Sequence, residues 1–67
     1  MDDIHRQIAA NIKRLARKKK WSANKLADFS GIARGAMSNV LTAKKSPTIR
    51  TLAKIADALG VEVKDLL

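Results

Sequence analysis

Cysteine is absent from the 67 residues, which excludes disulfides and thiolate metal sites. Histidine occurs once, at His5, so imidazoles cannot assemble a metal site, and neither a metal nor a cofactor is expected. No apolar run approaches the ~20 residues needed to span a bilayer. The opening Asp2-Asp3 does not fit a signal peptide, so the expected location is cytoplasmic, away from membranes. Catalytic groupings are missing too. Asp28 and Asp57 have no general-base context, no glycine-rich phosphate loop occurs, and no serine–histidine pair stands at an interpretable spacing. An enzyme is therefore not expected.

Acidic residues are scarce, 6 against 14 lysines and arginines, for a formal net charge of +8. Their distribution says more than the total. Residues 4–50 carry twelve basic side chains and one acid, Asp28, whereas residues 51–67 carry Lys54 and Lys64 against Asp57, Glu62 and Asp65. The positive charge is concentrated in the first three quarters of the chain, which suits a polyanionic partner. The plainer reading is a solubilising surface, because net charge alone does not specify a fold. A chain this short forms one domain near the lower limit for independent folding.

What is present has helical periodicity throughout. Ile8, Ile12 and Leu15, widened by Ala9 and Ala16, form an apolar stripe that predicts a helix over about residues 4–19. Asp2 and Asp3 precede its positive end. Arg14, Arg17, Lys18, Lys19 and Lys20 gather at its negative end, where cations are favoured. That run can also attract phosphate, and the two roles are compatible. From Trp21 to Thr42 the chain reads WSANKLADFSGIARGAMSNVLT. Ser22 is a good N-cap for a helix over 22–29. Gly31 can take the left-handed turn that ends it. Met37, Val40 and Leu41 then recur at helical spacing over 33–42, with Arg34, Ser38 and Asn39 on the other side. Two short helices about a glycine turn form a helix-turn-helix pattern. The start of the second helix is weak. Ala33 offers no side-chain acceptor, which costs about 0.5–2 kcal/mol relative to Ser or Thr. Gly35 in the first turn costs about another 1 kcal/mol. Pro47 suits a loop, and Thr48 suits the N-cap of a helix over 48–59 with Ile49, Leu52, Ile55, Ala56 and Leu59 on its apolar face. Gly60 is placed to end it. Val61, Val63, Leu66 and Leu67 predict a short final helix over 62–67.

The segment with Leu26, Ala27, Gly31, Ile32, Met37 and Val40 resembles the helix-turn-helix of the Cro and phage-repressor family. SPTIRTLAKIADALGVEVKDLL resembles the family's last two helices, and the likeness extends over about residues 5–67. The resemblance implies an all-α, compact five-helix lambda-repressor-like domain with the helix-turn-helix formed by helices 2 and 3. It implies sequence-specific binding of double-stranded DNA by a transcriptional regulator of the repressor kind, acting as a homodimer on a pseudo-palindromic operator in a bacterial or phage setting. Carried over by position, Arg34, Gly35, Ser38 and Asn39 face bases. Arg34 is suited to guanine and Asn39 to adenine. Ser22, Ala23 and Asn24 on one flank, and Thr42, Lys44 and Lys45 on the other, contact phosphates. The apolar chain end, Val61, Val63, Leu66 and Leu67, is the expected dimer interface, part of it covering the core.

Several departures from the family pattern carry their own expectations. Trp21 replaces a usual leucine and is expected at the core boundary. Phe29 falls where a polar residue is usual, and Ser30 where an apolar one is usual. Ala43 replaces a usual glycine, so a less sharply turned helix end is expected. An arginine–glutamate pair common in the family is replaced by Ala16 and Leu41, which are expected to touch. The competing reading is a protein-interaction module of the antitoxin or adaptor kind, with a protein partner meeting Phe29 and the apolar end. The chain also fits the DNA-binding part of a longer repressor.

Overall fold

Five elements follow one another in the computed structural model, which describes residues 3–67. They are α1 (Asp3–Lys18), α2 (Ala23–Ser30), α3 (Arg34–Leu41), α4 (Ile49–Leu59) and a single 3-10 turn, Val63–Leu66. The expected contribution of Asp2 and of the Asp3 side chain to the start of α1 lies outside what is described. No strand occurs among the described residues.

Each element contributes one side chain that is almost wholly removed from water: Ile12, Leu26, Met37, Ile55 and Leu66. Around them pack Ile8, Ala16, Ala27, Val40, Leu52, Ala56 and Leu59. This is a single core fed by one stripe from each helix, as helical amphipathicity requires. Ala27 is buried in α2, which packs against both α3 and α4. The small side chain suits a close helix crossing. Ala16 and Leu41 belong to the same apolar assembly and line a common groove.

The helix ends explain where the chain turns. Ser22 Oγ accepts from the Lys25 N–H at 3.2 Å, and Thr48 Oγ1 from the Thr51 N–H at 3.1 Å. Gly31 closes α2 at φ 69°, and Ile32 N–H donates back to the Ala27 carbonyl at 3.0 Å. Gly60 closes α4 in the same manner. α1 exits through Lys20 at φ 61°, with Trp21 N–H bonded to the Ala16 carbonyl at 3.0 Å.

The last element corrects the expected five-helix count. The segment forms only a 3-10 turn, with Asp65 N–H to the Glu62 carbonyl at 2.9 Å and Leu67 N–H to the Lys64 carbonyl at 3.2 Å. Four residues are too few to develop i→i+4 bonding, so the tighter turn forms. Asp65 also accepts from the Glu62 N–H at 3.0 Å. The turn is held by α1: Asn11 Nδ2 donates to the Leu66 carbonyl at 3.0 Å, and Gln7 Nε2 to the Leu67 carbonyl at 2.8 Å. Leu66 consequently sits inside the core at 0% exposure. Its side chain is used within its own chain, which removes it from the apolar surface expected for a second copy. Val61 and Val63 are half-buried against the core, and Leu67 is exposed.

α3 also ends differently from expectation. Ala43 itself adopts the left-handed conformation, φ 57°, and Lys44 N–H reaches the Asn39 carbonyl at 3.0 Å. The turn is as sharp as a glycine would make it, at the cost of crowding an alanine Cβ. Ser30 is buried, and its Oγ has no hydrogen-bond partner. The apolar position therefore contains an unpaired hydroxyl, a destabilising feature.

Candidate nucleic-acid interface

α2 and α3 meet the solvent differently. In α2 the N-cap serine satisfies Lys25, while the N–H groups of Ala23 and Asn24 belong to the first turn and have no intrahelical acceptor. Ser22, Ala23 and Asn24 are all exposed. The start of α2 thus presents two N–H donors and the positive end of the helix to whatever lies outside, the arrangement that suits an oxyanion. Ser22's own oxygen is already engaged as the cap.

α3 has no side-chain cap at all. Ala33 takes φ −59°, ψ 144° and makes no side-chain hydrogen bond. The first-turn N–H groups of Arg34, Gly35 and Ala36 are therefore uncapped, and all three residues are exposed. Ser38 is exposed one turn further on. A Cβ built on Gly35 would meet nothing within 4 Å. Its hydrogen therefore leaves open space on the outer face and serves no packing need inside the chain.

Arg34 is not isolated. Its guanidinium lies 3.7 Å from the Asp28 carboxylate of α2, with both side chains about two-thirds exposed (64% and 66%). Such an exposed pair contributes little to stability, and it places one negative charge beside the arginine. The Asp28 partnership was not expected from the sequence. It has a local signal, since Asp28 is the one acid among twelve cations.

Asn39 stands apart from the other three base-facing candidates. It is half-buried and lines a depression with Ala36, Val40 and the 45–48 loop. Thr42 Oγ1 donates to the Ser38 carbonyl at 2.8 Å, so its hydroxyl is committed within the helix end. Lys44 and Lys45 are exposed on the loop beyond. That loop is tied to α1 by a contact between Ser46 Oγ and His5 Nε2. No group of three metal-ligating side chains occurs among the described residues, and no helix there is long and apolar enough to cross a membrane.

Phe29 and Trp21 form one unit. Their ring centroids are 4.7 Å apart with planes tilted by 30°, and Lys19 Nζ lies 5.4 Å from the Trp21 ring centroid. Trp21 is half-buried at the core edge, and Phe29 packs sideways on it while remaining 58% exposed.

Two short helices about a left-handed glycine, the second with an open polar face and both on the cationic side of the chain, define a helix-turn-helix domain. Comparison with known proteins agrees. Residues 11–67 match the family model of the Cro/C1-type HTH DNA-binding domain, and the chain belongs to that family. It is 31% identical over 61 residues to the HTH-type transcriptional regulator SutR of Escherichia coli (strain K12), covering 91% of this chain and 34% of SutR. The chain thus spans about a third of that relative's length. Among solved structures, the restriction-modification controller protein C.AhdI from Aeromonas hydrophila superposes with a TM-score of 0.88 at 24% identity, over 94% of this chain and 96% of that one. SinR, a master regulator for biofilm formation solved in complex with DNA, superposes with a TM-score of 0.82 at 30% identity, over 88% and 98%.

Proposed function

We propose that this chain reads double-stranded DNA with α3 in the major groove and acts as a cytoplasmic transcriptional repressor, two copies occupying a pseudo-palindromic operator. The observation that carries the reading is the juxtaposition of an uncapped, exposed α3 start bearing Arg34 and Gly35 with the open N-terminus of α2. The first supplies groups that fit base edges, and the second supplies N–H donors for a backbone phosphate. Arg34 donates to guanine O6 and N7. Ser38 adds a weaker contact. Asn39, half-buried beside the 45–48 loop, meets adenine. Ser22, Ala23 and Asn24 hold one phosphate flank and Lys44 and Lys45 the other, while Thr42, also expected there, has its hydroxyl on the Ser38 carbonyl.

Each copy carries one α3, so it occupies one of two successive major-groove faces ~34 Å apart. That favours a pair, one copy per half-site. Leu67 and the half-buried Val61 and Val63 are the remaining apolar surface at the chain end for such a pairing.

The test is selection from a randomised duplex pool at two salt concentrations, followed by sequencing. A two-fold-symmetric motif with guanine and adenine in each half is expected. Arg34→Ala should relax the guanine preference and Asn39→Ala the adenine preference, each by about 1–3 kcal/mol. Sequence-blind retention that disappears at higher salt would mean that charge alone is acting and would contradict the reading. A second reading, a module whose main partner is a protein, is favoured only by Phe29, which leaves more than half of its surface in water beside Trp21.

A further inference from the structure

A groove of about 530 Å³ opens where α1, α2 and α3 converge, within the size range of small-molecule sites. Its floor is apolar: Ala16 and Leu26 are buried there, and Leu41 is half-buried. Trp21 forms a wall, backed by Phe29 at 4.7 Å, which holds the indole in place. The rim is cationic. Lys13, Arg17 and Lys20 line it, all exposed, and no acidic side chain does. At one end the groove reaches Ser22 and Ala23, the open start of α2.

We infer that this groove binds an organic anion with an apolar body, such as an alkyl or aryl carboxylate, and that its occupant covers the phosphate-facing end of α2. The charge pattern selects this class. An inorganic anion would satisfy the rim and leave the apolar floor in water. A neutral hydrocarbon would cover the floor and gain nothing from three cations. A carboxylate on an apolar body matches both, with its charge at the rim or at the α2 N–H groups and its body against Trp21, Leu26 and Leu41. The binding half of the inference is independent of any nucleic acid. Its second half, competition with DNA, rests on the proposed phosphate contact at Ala23.

The experiment uses sodium octanoate, which does not absorb where Trp21 emits. Trp21 is the only tryptophan and tyrosine is absent, so intrinsic emission reports the groove wall directly. Emission and methyl NMR spectra are followed during titration, with acetate and 1-octanol as controls. Saturable changes are expected at Trp21, Leu26 and Leu41. The two controls should bind at least about tenfold more weakly, and Arg17→Gln with Lys20→Gln should weaken octanoate about tenfold, the effect of two solvent-exposed charge contacts. These two residues are exposed, so the variant keeps its core, and its unchanged methyl spectrum verifies this. Changes of equal size at exposed Ile49 and Leu67, no saturation, or equal binding of 1-octanol would overturn the inference. Saturating octanoate should also lower the affinity for a selected duplex, and an unchanged duplex affinity would overturn the competition. If the free chain bound no duplex selectively, the DNA reading would fail by itself, while the octanoate titration would still decide the groove.

Discussion

α2 and α3 are the same length, eight residues each, and they are built in opposite ways. α2 has a side-chain cap at its start, where the Ser22 oxygen takes the Lys25 N–H and leaves those of Ala23 and Asn24 free, and a glycine at φ 69° at its end. α3 begins without a side-chain cap, carries a glycine in its first turn, and is followed by an alanine at φ 57°. By local energetics α3 is the poorer helix. It is held by tertiary contact, with Met37 and Val40 buried against the core. The difference indicates that local stability was placed in the supporting helix. The exposed helix instead keeps free N–H groups and a bare backbone position on its outer face, the features that suit close approach to a ligand.

The largest effect that tests this comparison comes from the core. Met37→Ala and Leu26→Ala each remove a side chain at 1% exposure and should cost about 2–5 kcal/mol. For so small a domain that is enough to leave much of the chain unfolded, as thermal denaturation would register. If α3 depends on its packing more than α2 does, Met37→Ala should also lose more helical circular dichroism before the main transition. The caps come next. Ser22→Ala should destabilise the chain and Ala33→Ser should stabilise it, each by about 1 kcal/mol, measured by urea denaturation. Equal signs for the two would remove the asymmetry. Gly35→Ala should stabilise α3 by up to about 1 kcal/mol, because the new Cβ meets no atom of the chain. The same substitution should weaken binding to the selected duplex. A gain in both properties would mean that the glycine serves no approach to DNA. The smallest effect belongs to Asp28→Asn. Stability should change by less than about 1 kcal/mol, since the pair with Arg34 is exposed. Duplex affinity should rise a few-fold as a negative charge leaves the interface.

Much of the fold was legible because it rests on local rules. The serine and threonine caps at Ser22 and Thr48, the glycine exits at Gly31 and Gly60, and the apolar stripes that supply Ile12, Leu26, Met37 and Ile55 are all written in short stretches of sequence. What was not legible depends on contacts between distant residues. Nothing near residue 66 announces that Asn11 and Gln7 will bond its carbonyl and that of Leu67, or that Leu66 will be drawn fully inward. The apolar cluster at the chain end was expected to be shared between core and partner surface, but which residue goes inward, Leu66, was not readable. Ala43 shows another limit. Propensity disfavours alanine at a left-handed position, yet the tie from Lys44 to Asn39 and the packing of α3 impose that conformation.

At the candidate interface, sequence spacing distinguished the polar side of α3 from its apolar side. It did not reveal that Asn39 would be half-buried beside the 45–48 loop, that Thr42 would spend its hydroxyl on the Ser38 carbonyl, or that Asp28 would stand beside Arg34. Each of these depends on the angle at which neighbouring elements meet, which periodicity does not encode. The Trp21–Phe29 pair is a similar case. The positions of both residues were readable, but their stacking needed the turn between α1 and α2.

The most direct measurement is amide shift mapping of the chain against its selected duplex. The account predicts the largest changes at Ala23 and Asn24 of α2 and at Arg34, Gly35 and Ser38 of α3, with Lys44 and Lys45 following. Changes concentrated in the basic end of α1, Arg17 to Lys20, with the start of α3 unmoved, would contradict it.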